Sequence, residues 1–372
     1  MRLSGTWGCP VPGEPDAPAS RPAGAPLRIG LFLANQQPHH ADMVAALGEQ
    51  IGLVHLVRDL GWDSLWTGQH FLTDSSAQLS PTVAMARLAA EAGDMEIGLG
   101  VLLLALLNPV DVAEQVASLD VVCGGRAVLG VGLGYRQAEF DAFGIDKTDA
   151  RTRLVESLRV VRELLNGQPV DADLPWCRLH GATLSVRPIR RPGVPVWMGG
   201  DADGAVRRAA RLADAWLVNP HTTLPTVVRQ IGIYRATRAE AGLPLPAELP
   251  VIREVVCAAS QQRAEDLAGR YLGEKYRAYT AWGQDTVLPE GESFDLPFEE
   301  LAAQRFVVGT PQRCFDQLAA WRRAVGATHL IVRTHWASMA VADAATSIEL
   351  LSKEVLPELR RVETGAGLTG GL

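Results

Sequence analysis

"EIGLGVLLLALLNPVDVAEQVASLDVVCGGRAVLGVGLG", residues 96–134, contains a strand, a helix and a second strand in one run. Residues 96–106 are nearly all apolar or glycine, the pattern of a strand buried on both faces. Asn108 and Pro109 then open a helix: Asn accepts from free amides, and Pro suits a first turn that needs no N–H. Gly124 and Gly125 close it, and 126–134 returns as a strand. The apolar run at 97–107 falls well short of the ~20 residues that a membrane helix needs.

The same alternation extends in both directions. Strands are expected at 27–34, 63–69, 194–200, 214–220, 250–259 and 328–334 besides the two above. Helices are expected at about 43–60, 81–93, 149–167, 205–213, 224–241, 262–282, 311–325 and 341–361. A hairpin is expected around 177–188, and a Pro-, Gly- and acid-rich insertion at 283–300 interrupts the rhythm. Eight successive strand–helix units predict an α/β fold, a single (β/α)8 TIM barrel with insertions, with a doubly wound open sheet as the alternative.

Composition narrows the function classes. With 47% hydrophobic and 21% charged residues, the chain of 372 is globular. A net charge of -7 offers no basic face for nucleic acid. Residues 1–26, rich in Pro, Gly and Ala, lack the continuous apolar core of a signal peptide and are expected to be a flexible tail; 363–372 are read likewise. The five scattered cysteines form no CxxC pair, which points to a reducing cytoplasm.

Chemistry in such a barrel gathers at the C-terminal strand ends. His39 and His40 follow the first strand, His70 ends the second, His221 follows the sixth and His335 ends the eighth. A helical HExxH is absent, the first strand lacks HxH, and "RTHW" at 333–336 has no Asp, so no metal site is expected. "GVGLGYRQAEF" (130–140) misses a dinucleotide fingerprint because Tyr135 stands where the third glycine belongs, although its glycines would let a flat ligand approach the backbone. "WMGGDADG" (197–204) puts two glycines ahead of a helix N-terminus, either as an anion site or as a loop whose Asp201 or Asp203 caps the helix.

In this order the pieces resemble the bacterial luciferase-like family of flavin-dependent monooxygenases and oxidoreductases, over about 27–362. "GWDSLWTGQHF" (61–71), the block from Gly100 to Asp146, "RPGVPVWMGG" (191–200) with "RRAARLADAWL" (207–217), and "FVVGTPQRCFDQL" (306–318) carry the likeness. The resemblance implies a barrel that binds reduced FMN, or in one branch a deazaflavin coenzyme. It implies Leu104 and Ala105 against the flavin ring, near a non-proline cis peptide, with Gly132, Leu133 and Tyr135 along its flank. Gly199, Gly200 and Asp201 would approach the phosphate, with Arg136 in support. His70 falls on the family's active-site histidine, and His335 is a second candidate.

The chain departs from the family pattern at Gln69 and Phe71, where Glu and a second His are usual, and at Ala202, where Ser is usual. The first change removes a carboxylate that would raise the imidazole's basicity. The expected activity is a two-component monooxygenase: a separate flavin reductase supplies reduced FMN, and oxygen serves to oxidise a small organic substrate such as a secondary metabolite. Segment 283–300 would be a mobile lid and the enzyme a homodimer. A deazaflavin-dependent dehydrogenase or reductase, and a non-catalytic flavin-binding relative, are the alternatives.

Overall fold

A computed structural model describes residues 26–363 apart from 75 and 192. The tails expected at 1–26 and 363–372 lie almost wholly outside them, as does Cys9. The first half alternates as β1 (Arg28–Phe32), α1 (Met43–Asp59), β2 (Ser64–Thr67), α2 (Pro81–Ala89), β3 (Glu96–Leu103), α3 (Pro109–Val122), β4 (Ala127–Gly132), α4 (Gln137–Ala142) and α5 (Ala150–Leu165). The second half continues with β5 (Val196–Gly199), α6 (Asp203–Leu212), β6 (Ala215–Leu217), α7 (Leu224–Glu240), β7 (Pro250–Cys257) and α8 (Gln261–Ala281). It ends with α9 (Phe298–Arg305), β8 (Val307–Gly309), α10 (Pro311–Val325), β9 (His329–Arg333), α11 (Val341–Leu350) and, after a π-helical turn, α12 (Leu356–Arg361).

The nine strands of the main sheet are parallel, in the order β6-β5-β4-β3-β2-β1-β9-β7-β8. This is a curled α/β sheet of TIM-barrel type with helices outside. Beyond β6, Val218 donates to Pro250 O and Ile252 N donates back to Val218 O, both at 2.9 Å. Each of the eight expected strands is present. The ninth, β8, is only three residues long, too short to print a period on the sequence. The hairpin begins earlier than expected, pairing Val170–Leu174 with Cys177–Ala182.

Local chemistry explains the helix starts. Asn108 Oδ1 accepts from Val110 N (2.9 Å) with Pro109 in the first turn, and Asp42 Oδ1 accepts from Val44 N (2.9 Å). Between sheet and helices lies the main core. Inside the sheet's curl, Trp66 stacks on Trp197 with ring centroids 4.7 Å apart, and His329 stands edge-on to both. Ser64 Oγ bridges this floor: the Trp66 indole N–H donates to it, and it lies 2.8 Å from His329 Nε2. Gly98 makes the room, because a Cβ there would meet the Trp66 ring at 2.2 Å. The interior is thus filled below and open above, at the C-terminal ends of the strands.

Candidate active site

Those strand ends surround a cavity of about 820 Å³. Phe32 of β1, Thr67 of β2, Val101 and Leu103 of β3, Gly132 of β4, Gly199 of β5, Ile252 of β7 and Arg333 of β9 all reach it. Its size suits a cofactor and a small substrate together.

One wall is bare backbone. A Cβ on Gly132 would fall 2.7 Å from the Val101 side chain, and one on Gly200 would fall 2.4 Å from Ala205. Next to Gly199 and Gly200, α6 begins after Ala202 with no side chain capping its amides. Asp203 turns away to Arg229 (2.7 Å). The helix therefore presents free N–H groups to the cavity, and Arg207, Arg208 and Arg211 of α6 and Arg151 of α5 line the same end. Burial, then the charge of Arg151, pulls the Arg208 guanidinium below its usual value, and its Nε has no partner. An anion placed here would relieve both penalties.

Asp201 lines this end of the cavity, with its carboxyl accepting from Thr222 Oγ1 (3.2 Å). Burial pushes it up to about 6, against hydrogen bonds from Asn219 and Thr222. The native value lies above the unfolded one, so the stabilisation is complete below about pH 4 and is lost as pH rises through 6. Above pH 7 the native state carries a buried charge costing up to roughly 3 kcal/mol, at 1.36 kcal/mol per pH unit between the two values. Asp201→Asn is expected to raise the melting temperature by about 2–5 °C at pH 8, with the gain gone by about pH 4. Thermal melts across that range check it; an equal gain at both ends would refute the assignment.

His70, at the tip of β2, also lines the cavity. Its Nδ1 lies 3.1 Å from Glu139 Oε1, on the short helix α4. Phe71 N donates to the same oxygen (2.8 Å), and Arg136 Nη1 donates to Phe71 O (2.7 Å). Glu139 is fully buried, and its Oε2 has no partner. A carboxylate absent from β2 is thus replaced, in space, by one delivered 69 residues later. Gln69 serves the sheet, where its Oε1 accepts from Leu103 N (2.9 Å) and ties β2 to the end of β3. Tyr135, Tyr279 and Trp282 enclose the imidazole with ring centroids at 5.7, 6.2 and 5.3 Å.

Several expectations need correction. Leu104 and Ala105 are wholly buried in the main core, in a 3₁₀ turn. The register shift between Leu99 and Leu102 brings Gly100, Val101 and Leu103 to the cavity instead, and the cis peptide is Gly100–Val101. Arg136 does not reach the anion end: it is held by Phe71 O and lies 4.5 Å over Trp282. His335 points away from the cavity, with Nε2 2.9 Å from Met339 O, and burial pulls it below the usual imidazole value. His39 and His40 are exposed.

His70, Gly132, Leu133, Tyr135, Gly199, Gly200 and Asp201 do line the cavity. So does His221, held well below the usual imidazole value by burial and then by Lys275, Arg253, Arg305 and Arg333. Glu139 and the α6 arginines went unnoticed in the sequence. Their signals were a lone Glu in "GYRQAEF" and the spacing of "RRAAR" just after two glycines. Among the described residues no group of three or more His, Cys, Asp or Glu could hold a metal ion, and no helix is long and apolar enough to cross a membrane.

Fold and site together define an α/β barrel-type protein with a ligand-sized cavity at its strand ends. The chain belongs to the luciferase-like monooxygenase family, whose model matches residues 27–329, and it is an enzyme. It is 28% identical over 309 residues to 4-hydroxyprotoasukamycin monooxygenase of Streptomyces nodosus subsp. asukaensis, covering 81% of this chain and 83% of that protein. A monooxygenase from Streptomyces bottropensis shares the fold with a TM-score of 0.80, 21% identity and coverage of 89% and 99%. The oxygenating constituent of 3,6-diketocamphane monooxygenase from Pseudomonas putida, solved with FMN, gives 0.73, 19%, 90% and 99%. An F420-dependent secondary alcohol dehydrogenase gives 0.72, 17%, 90% and 99%.

Proposed function

We propose that this enzyme is the oxygenase component of a two-component flavin-dependent monooxygenase, oxidising a small organic molecule with reduced FMN and oxygen. One observation carries the reading: a single cavity joins a glycine-and-arginine anion end to a carboxylate-backed imidazole. The residues present fit FMN, since Gly132, Gly199 and Gly200 leave bare backbone lining the cavity and the Arg208 Nε lacks a partner. Gly199, Gly200 and the amides of α6 would hold the phosphate with Arg207, Arg208 and Arg211; Val101, Leu103, Gly132 and Leu133 would bound the ring. Bound reduced FMN supplies the activation of oxygen.

The chain supplies the surroundings. Nδ1–H of His70 donates to Glu139, which fixes the tautomer and leaves Nε2 to exchange a proton with the ligand. Tyr135, Tyr279 and Trp282 keep bulk water from that nitrogen. Residues 284 and 286–288 cover the cavity from the side, the basis for reading 283–300 as a mobile lid. The contact of Val218 with β7 supports a closed (β/α)8 barrel. A cavity with room for one flavin and a relative that is an oxygenating constituent support a separate reductase. Four buried, unpaired cysteines favour a reducing cytoplasm, and a homodimer is carried over from the resemblance.

The deazaflavin alternative has its own support: four arginines at the anion end exceed what one phosphate needs, and an F420-dependent dehydrogenase shares the fold. Fluorescence titration with FMN and with the deazaflavin, followed by oxygen uptake with each reduced form, separates the two. Tight FMN binding with oxygen uptake upholds the oxygenase. Deazaflavin binding without oxygen uptake overturns it.

A further inference from the structure

The cavity carries cations at two separate places. One is the α6 end just described. The other is Lys275 of α8 and Arg333 at the tip of β9. Between β5 and β9 in the sheet order, counted across the Val218–Val251 bridge, stand β6 and β7. The single phosphate of FMN can occupy only one of these places.

Four buried cations, Lys275, Arg253, Arg305 and Arg333, act on His221 at this second end. Two of them have carboxylate partners: Lys275 pairs with Glu254, and Arg305 with Glu292 (3.0 Å). The other two rest on neutral oxygens. Arg253 donates to Thr222 O (3.1 Å) and to Asn219 O, and lies 3.8 Å over Trp321 outside the cavity lining. Arg333 donates from Nε to His335 O (3.2 Å) and from Nη2 to Gln36 Oε1 (3.4 Å). Only 6% exposed, it faces the cavity with no direct ion pair among the described residues, although its charge also acts on the Glu254 carboxylate that Lys275 holds. A buried guanidinium held by two long, neutral contacts has unspent capacity for a charged acceptor. Its guanidinium lies 6.0 Å from the Phe32 ring, and Leu33, Ile252 and Leu288 add apolar lining to the same cavity.

We infer that the substrate is an organic anion, a small apolar skeleton bearing a carboxylate or comparable oxyanion, and that Arg333 binds that charge. This rests on the flavin reading, which assigns the α6 arginines to the cofactor phosphate. Lys275, already neutralised by Glu254, adds a weaker contact, and Gln36 orients the guanidinium. Arg333 therefore sets specificity by charge, while His70 handles the proton.

The test uses matched acids and amides of equal shape: benzoate with benzamide, phenylacetate with phenylacetamide, hexanoate with hexanamide. Each is titrated into the FMN-bound protein, read by the flavin's absorbance and fluorescence. In the wild type at least one acid binds about 10–100-fold more tightly than its amide. Arg333→Gln brings that ratio to within about threefold while the FMN dissociation constant stays put, and Arg333→Lys keeps part of the preference. The inference is overturned if no acid binds, or if amides bind as well as acids, a comparison that needs no variant. It is equally overturned if Arg333→Gln weakens FMN and spares the ratio, which would make Arg333 a flavin ligand. Should FMN itself fail to bind, the flavin reading falls separately, and the acid–amide ratio is read by thermal shift on the ligand-free protein.

Discussion

His70→Ala lowers substrate oxidation by about 10²–10⁴-fold, the range for losing a positioned proton-transfer group, while FMN affinity changes little. The imidazole is enclosed by Tyr135, Tyr279 and Trp282, and on the flavin reading its loss removes proton handling while the α6 arginines that would hold the phosphate are untouched. Glu139→Gln provides the companion measurement. The amide holds Phe71 N and the backbone in place but cannot support an imidazolium. Turnover falls by about 10–100-fold, because the acceptor that fixes the imidazole's tautomer and orientation is weakened. Single-turnover kinetics with pre-reduced FMN reads both variants. Wild-type rates in His70→Ala would remove this residue from the chemistry.

Arg305→Met lowers stability by about 3–5 kcal/mol, the penalty for leaving one partner of a buried ion pair alone. Arg305 and Glu292 are both nearly inaccessible, and Glu292 also accepts from Thr223 Oγ1 (2.7 Å) while Arg305 Nε donates to His221 O (2.8 Å). The pair clamps segment 283–300 onto the strand ends beside His221. A fall in melting temperature of about 5–15 °C is expected, with faster proteolysis within the segment. Arg305→Met combined with Glu292→Leu recovers most of the loss, since neither charge is then stranded. No recovery in the double variant would place the cost in lost packing over Phe294 instead.

How much of this was legible in the sequence depends on the range over which each feature is determined. Strands buried on both faces write long apolar runs, and Asn-Pro and Gly-Gly mark helix ends through their own backbone chemistry, so β1 to β7, β9 and the helices other than the short α4 and α9 could be placed within a few residues. β8 could not, because three residues hold no period. Leu104 and Ala105 were displaced from the cavity by a register shift that only the pairing of β3 with β4 reveals. His335 ends a strand on the correct rim, yet its side chain finds a backbone carbonyl instead of the cavity.

The opening glycine-rich unit and its repeats by themselves determined the parallel α/β sheet, the rim on which the site is built, and the position of His70 upon it. Glycines at 132, 199 and 200 were equally plain, since a missing side chain is a local property. Only the tertiary structure decided what each polar group faces: Glu139 with His70, Arg136 with Phe71, the arginines of α6 at the anion end, Arg333 at the cavity with no direct ion pair among the described residues. A side chain's partner is set by the folding together of strands that lie tens or hundreds of residues apart, and no local pattern records that meeting.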